Sequence, residues 1–142
     1  MIYADTDVLL SIFCPDALTE TAHRWYGKVD EPVALSSWSV TEFRANIGLR
    51  IRKSLLSRSA GLAAMLRFDA ATKANMHVLA PVNDHFSLAN EWLTKPGCSL
   101  RSGDALHLAI AVANRCRDVV TFDRPFGAAA RRLKLPVIVL NA

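Results

Sequence analysis

The sequence predicts an α/β fold: a single three-layer α/β/α domain over residues 1–142, with a central parallel sheet of about five strands. Short apolar segments alternate along the chain with longer segments whose apolar residues recur at helical spacing. Chains of this kind pair their strands in parallel through helical crossovers. In addition, residues 104–113 are apolar nearly all round, which is typical of a helix buried in the middle of a domain.

The first half of the chain begins with an apolar strand that ends at Asp5 and turns at once into a helix. A second helix is predicted over residues 16–26, where apolar residues again recur at helical spacing. A short strand follows at residues 32–35. The next helix starts at Ser36 or Ser37 and carries a long apolar stripe.

The second half of the chain continues the same alternation. Its helices are indicated by periodic apolar residues, and its strands by short apolar runs rich in β-branched residues. In chain order, the predicted elements are a helix at 58–74, a strand at 76–79, a helix at 83–95, the buried helix at 104–113, a strand at 118–122, a helix at 124–133 and a strand at 136–140.

Length and cysteine content narrow the class of protein. A chain of 142 residues can bury the core of one domain. Its three cysteines form no CxxC pair, so neither a disulfide framework nor a zinc site is indicated, and a reducing cytoplasm fits best. We expect no membrane association, because no leader opens the chain and no apolar run approaches the roughly 18 residues of a spanning helix.

The positive charge is unevenly distributed. The formal net charge is +4, and six basic residues but no acidic one lie between Glu42 and Asp69. Such a stretch suits a phosphate backbone or an acidic protein partner. A solvated helical face without a partner would have the same composition, so both interpretations stay open.

Four acidic residues lie at or near points where a predicted helix begins: Asp5, Glu42, Asp104 and Asp123. The carboxyl ends of strands in an open α/β sheet form the crevice where ligands bind. Helix N-termini also attract carboxylates for structural reasons. Asp5 and Asp123 could therefore act only as helix caps, and Glu42 could form a capping box with Ser39.

Asp104 is harder to explain structurally. An ionised carboxylate at the mouth of a buried helix needs a cation or several donors, and Arg101 is its only obvious local partner. Three or four carboxylates around one crevice would repel each other without a cation. We therefore expect their convergence to require Mg²⁺, with Mn²⁺ as a possible substitute.

An all-carboxylate metal site predicts a hydrolytic reaction. The ion can lower the pKa of a bound water and orient it for in-line attack on a phosphodiester. No histidine base is required. We expect His23 and His85 to be exposed on helices, and we favour a hydrogen-bonded core histidine over a site residue for His107, which lies one turn after Asp104.

With these residues in place, the sequence resembles a PIN domain, and most of all the VapC-type toxins of bacterial and archaeal toxin–antitoxin pairs. The resemblance spans essentially the whole chain. It is carried by residues 2–9, 36–42, 100–111 and 120–123, of which the third block is the most specific.

The resemblance implies a Mg²⁺-dependent endoribonuclease. The family's acidic quartet matches Asp5, Glu42, Asp104 and Asp123, with Asp5, Asp104 and Asp123 as the expected metal ligands and Glu42 binding directly or through water. Supporting roles fall to Thr6, Asp7 and Thr121. Asp7 is a departure, because family members commonly carry a small polar residue there; it could raise metal affinity, bind the antitoxin or cap the helix.

The resemblance also implies partners. Members are typically homodimers inhibited by a small antitoxin, here of the VapB type, whose C-terminal segment enters the site. The expected contacts for RNA or antitoxin are Arg44, Arg50, Arg52 and Lys53. The family places its first and fourth strands side by side at the centre of the sheet.

Two other functions stay open. Asp5 and Asp7 after an apolar strand resemble the nucleophile motif of haloacid-dehalogenase-type phosphatases. That family needs a later Thr or Ser, a Lys and an acidic pair, and this order is not matched, because Thr121 follows Asp104. The other alternative is a catalytically inactive PIN-like module that binds protein or RNA.

Overall fold

Residues 1–141, the part of the chain that this computed structural model describes, form five strands and seven helices. None of the helices in this part is both long and apolar enough to cross a bilayer. In chain order the elements are β1 (Ile2–Ala4), α1 (Thr6–Phe13), α2 (Thr19–Tyr26), β2 (Val33–Ser36), α3 (Ser37–Arg52), α4 (Arg58–Asn75), β3 (Met76–Leu79), α5 (Asn83–Leu93), α6 (Ser102–Ala113), β4 (Val119–Thr121), α7 (Arg124–Arg132) and β5 (Val137–Val139).

The five strands form one parallel sheet in the order β3-β2-β1-β4-β5. Tyr3 of β1 pairs with Ala34 of β2 on one side and with Val119 of β4 on the other. The predicted α/β class and the central pairing of the first and fourth strands are therefore confirmed. Strand order reverses between β1 and β4, which opens a crevice at their carboxyl ends.

Two hydrophobic cores lie on opposite faces of the sheet, as a three-layer architecture requires. Successive side chains of a strand point to opposite faces. Accordingly Ile2 and Ala4 join one core with α1, α3 and α4, whereas Tyr3 joins the other with α5, α6 and α7. Helix α6 is buried over the whole stretch from residue 105 to residue 111, as its all-round apolar sequence predicted.

An aromatic cluster fixes α3 against α1 and α4. Phe43 is fully buried and stacks on Phe68 of α4 with a centroid distance of 4.1 Å, and Phe13 meets Phe68 edge-on at 5.5 Å. Such pairs restrain a helix more strongly than area burial alone. Since Glu42 directly precedes Phe43, this packing also positions the Glu42 side chain.

Local polar contacts move several boundaries away from the prediction. Helix α2 begins at Thr19 and not at residue 16, because Asp16 forms a turn by accepting a hydrogen bond from the Leu18 N–H (2.8 Å). Strand β2 extends to Ser36, which pairs with Leu79 of β3.

One open alternative and one expectation about polar side chains are not borne out. The capping box of α3 joins Ser36 to Ser39, so Glu42 is not used as a cap. His85 is buried and not exposed, because its Nδ1 accepts a hydrogen bond from the Val82 N–H (3.2 Å) at the start of α5. His23 is exposed as expected.

Candidate active site

The acidic residues lie at the carboxyl ends of β1 and β4, where the strand order reverses. The Asp5 N–H donates to the Val120 carbonyl (2.9 Å), so the two strands end together. Asp5 caps α1 by accepting from the Thr6 N–H (2.7 Å), and Asp123 caps α7 by accepting from the Phe126 N–H (2.9 Å). Both residues therefore do cap helices, and they do so at one common edge of the sheet.

Thr121 holds Asp5 in place. Its hydroxyl lies 2.8 Å from Asp5 Oδ2 and also accepts from the Asp123 N–H (3.0 Å). Asp5 is almost completely buried, and burial raises the pKa of its carboxyl, although the nearby His107, Thr121 and the Thr6 N–H oppose this. The loss of solvation is thus only partly compensated by hydrogen bonds.

Asp7 turns toward the end of β4 and lies against the same threonine. Its Oδ2 accepts from the Phe122 N–H (2.8 Å) and lies 3.0 Å from the Thr121 hydroxyl, while its Oδ1 is buried without a partner in the described residues 1–141. Burial and the charge of Asp5 raise the pKa of Asp7 to about 7. A proton on Asp7 Oδ2 would complete a chain in which Asp7 donates to Thr121 and Thr121 donates to Asp5.

Asp7→Asn is expected to stabilise the metal-free protein, and more at high pH than at low pH. The pKa of Asp7 rises from 3.8 to about 7 on folding. The Asp7 side chain therefore favours the folded state most below pH 4, where it is protonated in both states. As the pH rises to about 7, burying its charge lowers the free energy of unfolding progressively, by about 4 kcal/mol at most. Between pH 5 and pH 8 the benefit of the substitution should grow by about 2.5 kcal/mol.

Urea unfolding in EDTA at the two pH values measures this difference. Glu91→Gln, which neutralises an exposed carboxylate on α5, serves as the matched control and should show no comparable pH dependence. An Asp7→Asn protein that is destabilised equally at both pH values would contradict the interpretation.

Glu42 reaches the site from α3 and is held from two sides. Its Oε2 accepts a hydrogen bond from the Thr6 hydroxyl (2.5 Å) and one from Nε2 of His107 (2.7 Å). Burial alone raises the pKa of Glu42, but these donors and the charge of His107 outweigh it and lower the pKa. Glu42 is therefore a carboxylate with one oxygen fully engaged.

His107 is the main site residue that we did not predict as one. It is 2% exposed, so the expectation of a hydrogen-bonded core histidine is confirmed, yet Nε2 also lies 3.6 Å from Asp5 Oδ1. Burial lowers its pKa, but Glu42 and the other carboxylates outweigh this and raise the pKa of His107. The available signal was a polar residue one turn after Asp104 in an otherwise apolar helix.

The other ring nitrogen of His107 faces a cluster of hydroxyls. Nδ1 lies 2.8 Å from the Tyr3 hydroxyl, which lies 2.8 Å from Ser36 Oγ and 3.1 Å from Ser39 Oγ, and the two serine oxygens are 3.2 Å apart. The three hydroxyls can donate to each other in a closed ring, which leaves the Tyr3 oxygen free to accept from Nδ1–H. A histidine that donates through both nitrogens is positively charged.

The raised pKa of His107 corrects one part of the sequence argument. We expected that only a divalent ion could offset the acidic residues, whereas His107, when protonated, offsets part of the charge of Asp5 and Glu42. Its single charge faces more than one carboxylate, so the site retains a negative excess.

Asp104 and Asp123 complete the cluster. Burial and the charge of Asp5 raise the pKa of Asp104, and Asp123 adds to this. Arg101 is a local partner of Asp104 as expected, because its backbone N–H and its charge both lower the pKa of Asp104, but its exposed guanidinium lies 3.5 Å from Asp123 Oδ2. Asp5 and Asp123 are therefore close enough to Asp104 to disfavour its ionisation, although no group of three or more acidic, His or Cys side chains within residues 1–141 is already arranged around an ion position.

The basic residues predicted to bind RNA or antitoxin have different environments. Nη2 of Arg44 donates to both carboxylate oxygens of Asp69, each at 2.8 Å. Arg50 lies near the acidic cluster, because it lines a cavity of about 390 Å³ together with Asp7 and Asp123. Arg52 is the last residue of α3, and Lys53 is its C-cap.

Comparisons with known proteins agree with this geometry. Residues 2–132 match the family model of the PIN domain. No curated protein matches the sequence significantly.

Three solved structures illustrate the shared fold. VapC20 from Mycobacterium tuberculosis, a Sarcin-Ricin loop cleaving toxin, is 24% identical with a TM-score of 0.70, over 91% of this chain and 95% of that one. FitAcB from Neisseria gonorrhoeae is 22% identical with a TM-score of 0.71, over 97% and 96%. VapBC2 from Rickettsia felis, bound to a DNA fragment from its promoter, is 15% identical with a TM-score of 0.68, over 99% and 100%.

Proposed function

Since this chain belongs to the PIN domain family, we propose that it is a Mg²⁺-dependent endoribonuclease and the toxin of a type II toxin–antitoxin pair. The observation that carries the proposal is the meeting of Asp5 and Thr121, which are 116 residues apart in sequence, beside Asp104 and Asp123. A partly buried cluster with a net negative charge is costly without a cation. The choice of RNA is supported by the similarity to a toxin that cleaves the Sarcin-Ricin loop.

The donor set fits a hard divalent cation. We propose that Asp5, Asp104 and Asp123 hold Mg²⁺, or Mn²⁺ in its place, because all their donors are anionic oxygens. When bound, the ion lowers the pKa of a water and neutralises the oxyanion that leaves the phosphodiester. Each carboxylate oxygen of Asp5 accepts one protein hydrogen bond and keeps a lone pair for the ion.

The remaining polar residues orient this set. Thr121 fixes the plane of the Asp5 carboxylate, and Thr6 and His107 fix Glu42 through Oε2. Oε1 of Glu42 is thereby left to accept a hydrogen bond from water. Asp7, whose carboxylate lies against the end of β4, supports the same threonine.

The proposed partners follow from the fold's relatives and from surface charge. A VapB-type antitoxin is supported by structures of VapBC complexes with this fold. We propose a homodimer that acts in the cytoplasm, which agrees with three free thiols. For contacts with RNA or antitoxin, Arg50 has the strongest support because it lines a cavity next to the acids, whereas Arg44 is already paired with Asp69.

Incubation of the purified chain with RNA tests the proposal. We expect cleavage with Mg²⁺ or Mn²⁺ and none with EDTA, with internal cuts and not stepwise loss from an end. Release of phosphate from p-nitrophenyl phosphate without RNA cleavage would instead favour the phosphatase alternative. Tight RNA or antitoxin binding without either activity would favour the inactive module.

A further inference from the structure

A second cavity lies beside the first turns of α3 and does not share lining residues with the cavity that contains Arg50. It has a volume of about 450 Å³ and is enclosed by the first turns of α3, by α5 and by the start of α6. Pockets for small organic ligands range from about 300 to 1,000 Å³. The cavity is thus large enough for a planar heterocycle.

Gly103 brings this cavity next to the acidic cluster. A Cβ atom at Gly103 would lie 3.3 Å from Glu42 Oε1 and 3.8 Å from Trp38 Nε1. Because Gly103 has no side chain, Oε1 of Glu42 lies close to the inner wall of the cavity, which Gly103 and Trp38 form. A nucleotide whose phosphate lies at the acids would have its own base, or the base of its neighbour, within reach of this cavity.

The lining matches a nucleobase and not a phosphate. Trp38 and Phe86 supply aromatic surface, and Asn90 supplies an exposed amide that can both donate and accept. None of the residues that line the cavity within the described chain is charged. Unpaired bases are typically recognised by aromatic stacking combined with hydrogen bonds to their edges.

Two further observations indicate that something enters the cavity. Phe86 is 48% exposed, so its ring is accessible for stacking against a ligand that enters the cavity. The indole N–H of Trp38 is buried and has no acceptor within residues 1–141. A small rotation of the indole would let a base carbonyl or ring nitrogen supply that acceptor.

We propose that this cavity is a nucleobase subsite, which receives one unpaired base of the RNA beside the scissile phosphodiester. The inference rests on the proposed nuclease function and adds a source of sequence preference to it. Trp38 and Phe86 provide the stacking surface, and Asn90 reads the edge of the base.

The experiment compares cleavage-site preferences on a single-stranded RNA of randomised sequence, with products sequenced at both ends. The variants are Phe86→Ala and Asn90→Ala, and Leu66→Ala on α4 is the control, because it also removes an exposed apolar side chain but lies outside the cavity. We expect the wild-type protein to prefer particular bases at one position next to the cut. Both cavity variants should reduce that preference about fivefold or more, since base stacking and edge contacts are lost.

A binding measurement makes the result independent of turnover. The Asp104→Asn protein is irradiated with 5-iodouridine-substituted random RNA, and cross-linked peptides are identified by mass spectrometry. We expect cross-links to Trp38 or Phe86.

Each contrary outcome has its own meaning. Cross-links confined to other surfaces, or unchanged preferences in both cavity variants while cleavage persists, would overturn the subsite and leave the nuclease function intact. A dimer that becomes monomeric in Phe86→Ala, with cleavage preferences unaltered, would assign the cavity to a contact between two copies of the chain. Absence of both cleavage and RNA cross-links would overturn the nuclease proposal together with the subsite.

Discussion

Asp104→Asn is expected to reduce RNA cleavage by about a thousandfold or more while leaving the protein as stable as before or more stable. Asp104 is one of three proposed ion ligands, and a catalytic metal supplies several kcal/mol of transition-state stabilisation, which corresponds to about three powers of ten in rate. In the metal-free fold burial raises the pKa of Asp104, and the charges of Asp5 and Asp123 raise it further. Removal of its charge therefore relieves repulsion.

Two measurements on one preparation check this prediction. Cleavage is followed over a Mg²⁺ titration, and unfolding by urea is followed in EDTA at pH 8. Glu91→Gln on the exposed face of α5 is the control for the loss of one negative charge. Should Asp104→Asn retain activity within tenfold of the wild-type protein, the proposed metal ligands would be wrong.

His107→Ala is expected to cost about 3–5 kcal/mol of stability and to reduce cleavage strongly, because it removes one partner of a buried charged pair. The imidazole joins Glu42 to the Tyr3 hydroxyl across the two core layers, with contacts of 2.7 and 2.8 Å. Its loss leaves the Glu42 carboxylate without its cation and opens a cavity in a buried helix. His107→Gln keeps a donor toward Glu42 and should lose less.

A double-mutant cycle separates the charge pair from simple packing. Combining His107→Ala with Glu42→Gln removes both charges, so the double variant should be more stable than the sum of the single losses predicts, by about 1–3 kcal/mol. Urea unfolding of the four proteins in EDTA gives this coupling. Strictly additive losses would show that His107 acts by volume alone.

The fold was predictable because its signals are local and regular. The short apolar strands and the helical spacing between them indicated all twelve elements, and the all-round apolar sequence after Asp104 indicated the buried helix. Boundaries moved where a side chain made a turn or cap of its own, as Asp16 does before α2. Such hydrogen bonds compete with helix formation and leave little trace in periodicity.

The site was predictable only in part. Asp5 and Asp123 follow strands directly, so the parallel sheet alone brings them to one edge. The contact between Glu42 and His107 joins two helices 65 residues apart in sequence, and no local pattern encodes it. The roles of Asp7 and Tyr3 depend in the same way on side chains from distant elements.

The pairing of β1 with β4 has a consequence for synthesis of this protein. Thr121 and Asp123 follow Asp5 and Asp7 by more than a hundred residues, so the acids meet only after β4 has been translated. A nascent chain released before β4 has emerged lacks the hydroxyl that orients Asp5. Translation products that end before β4 are therefore expected to lack the proposed nuclease activity.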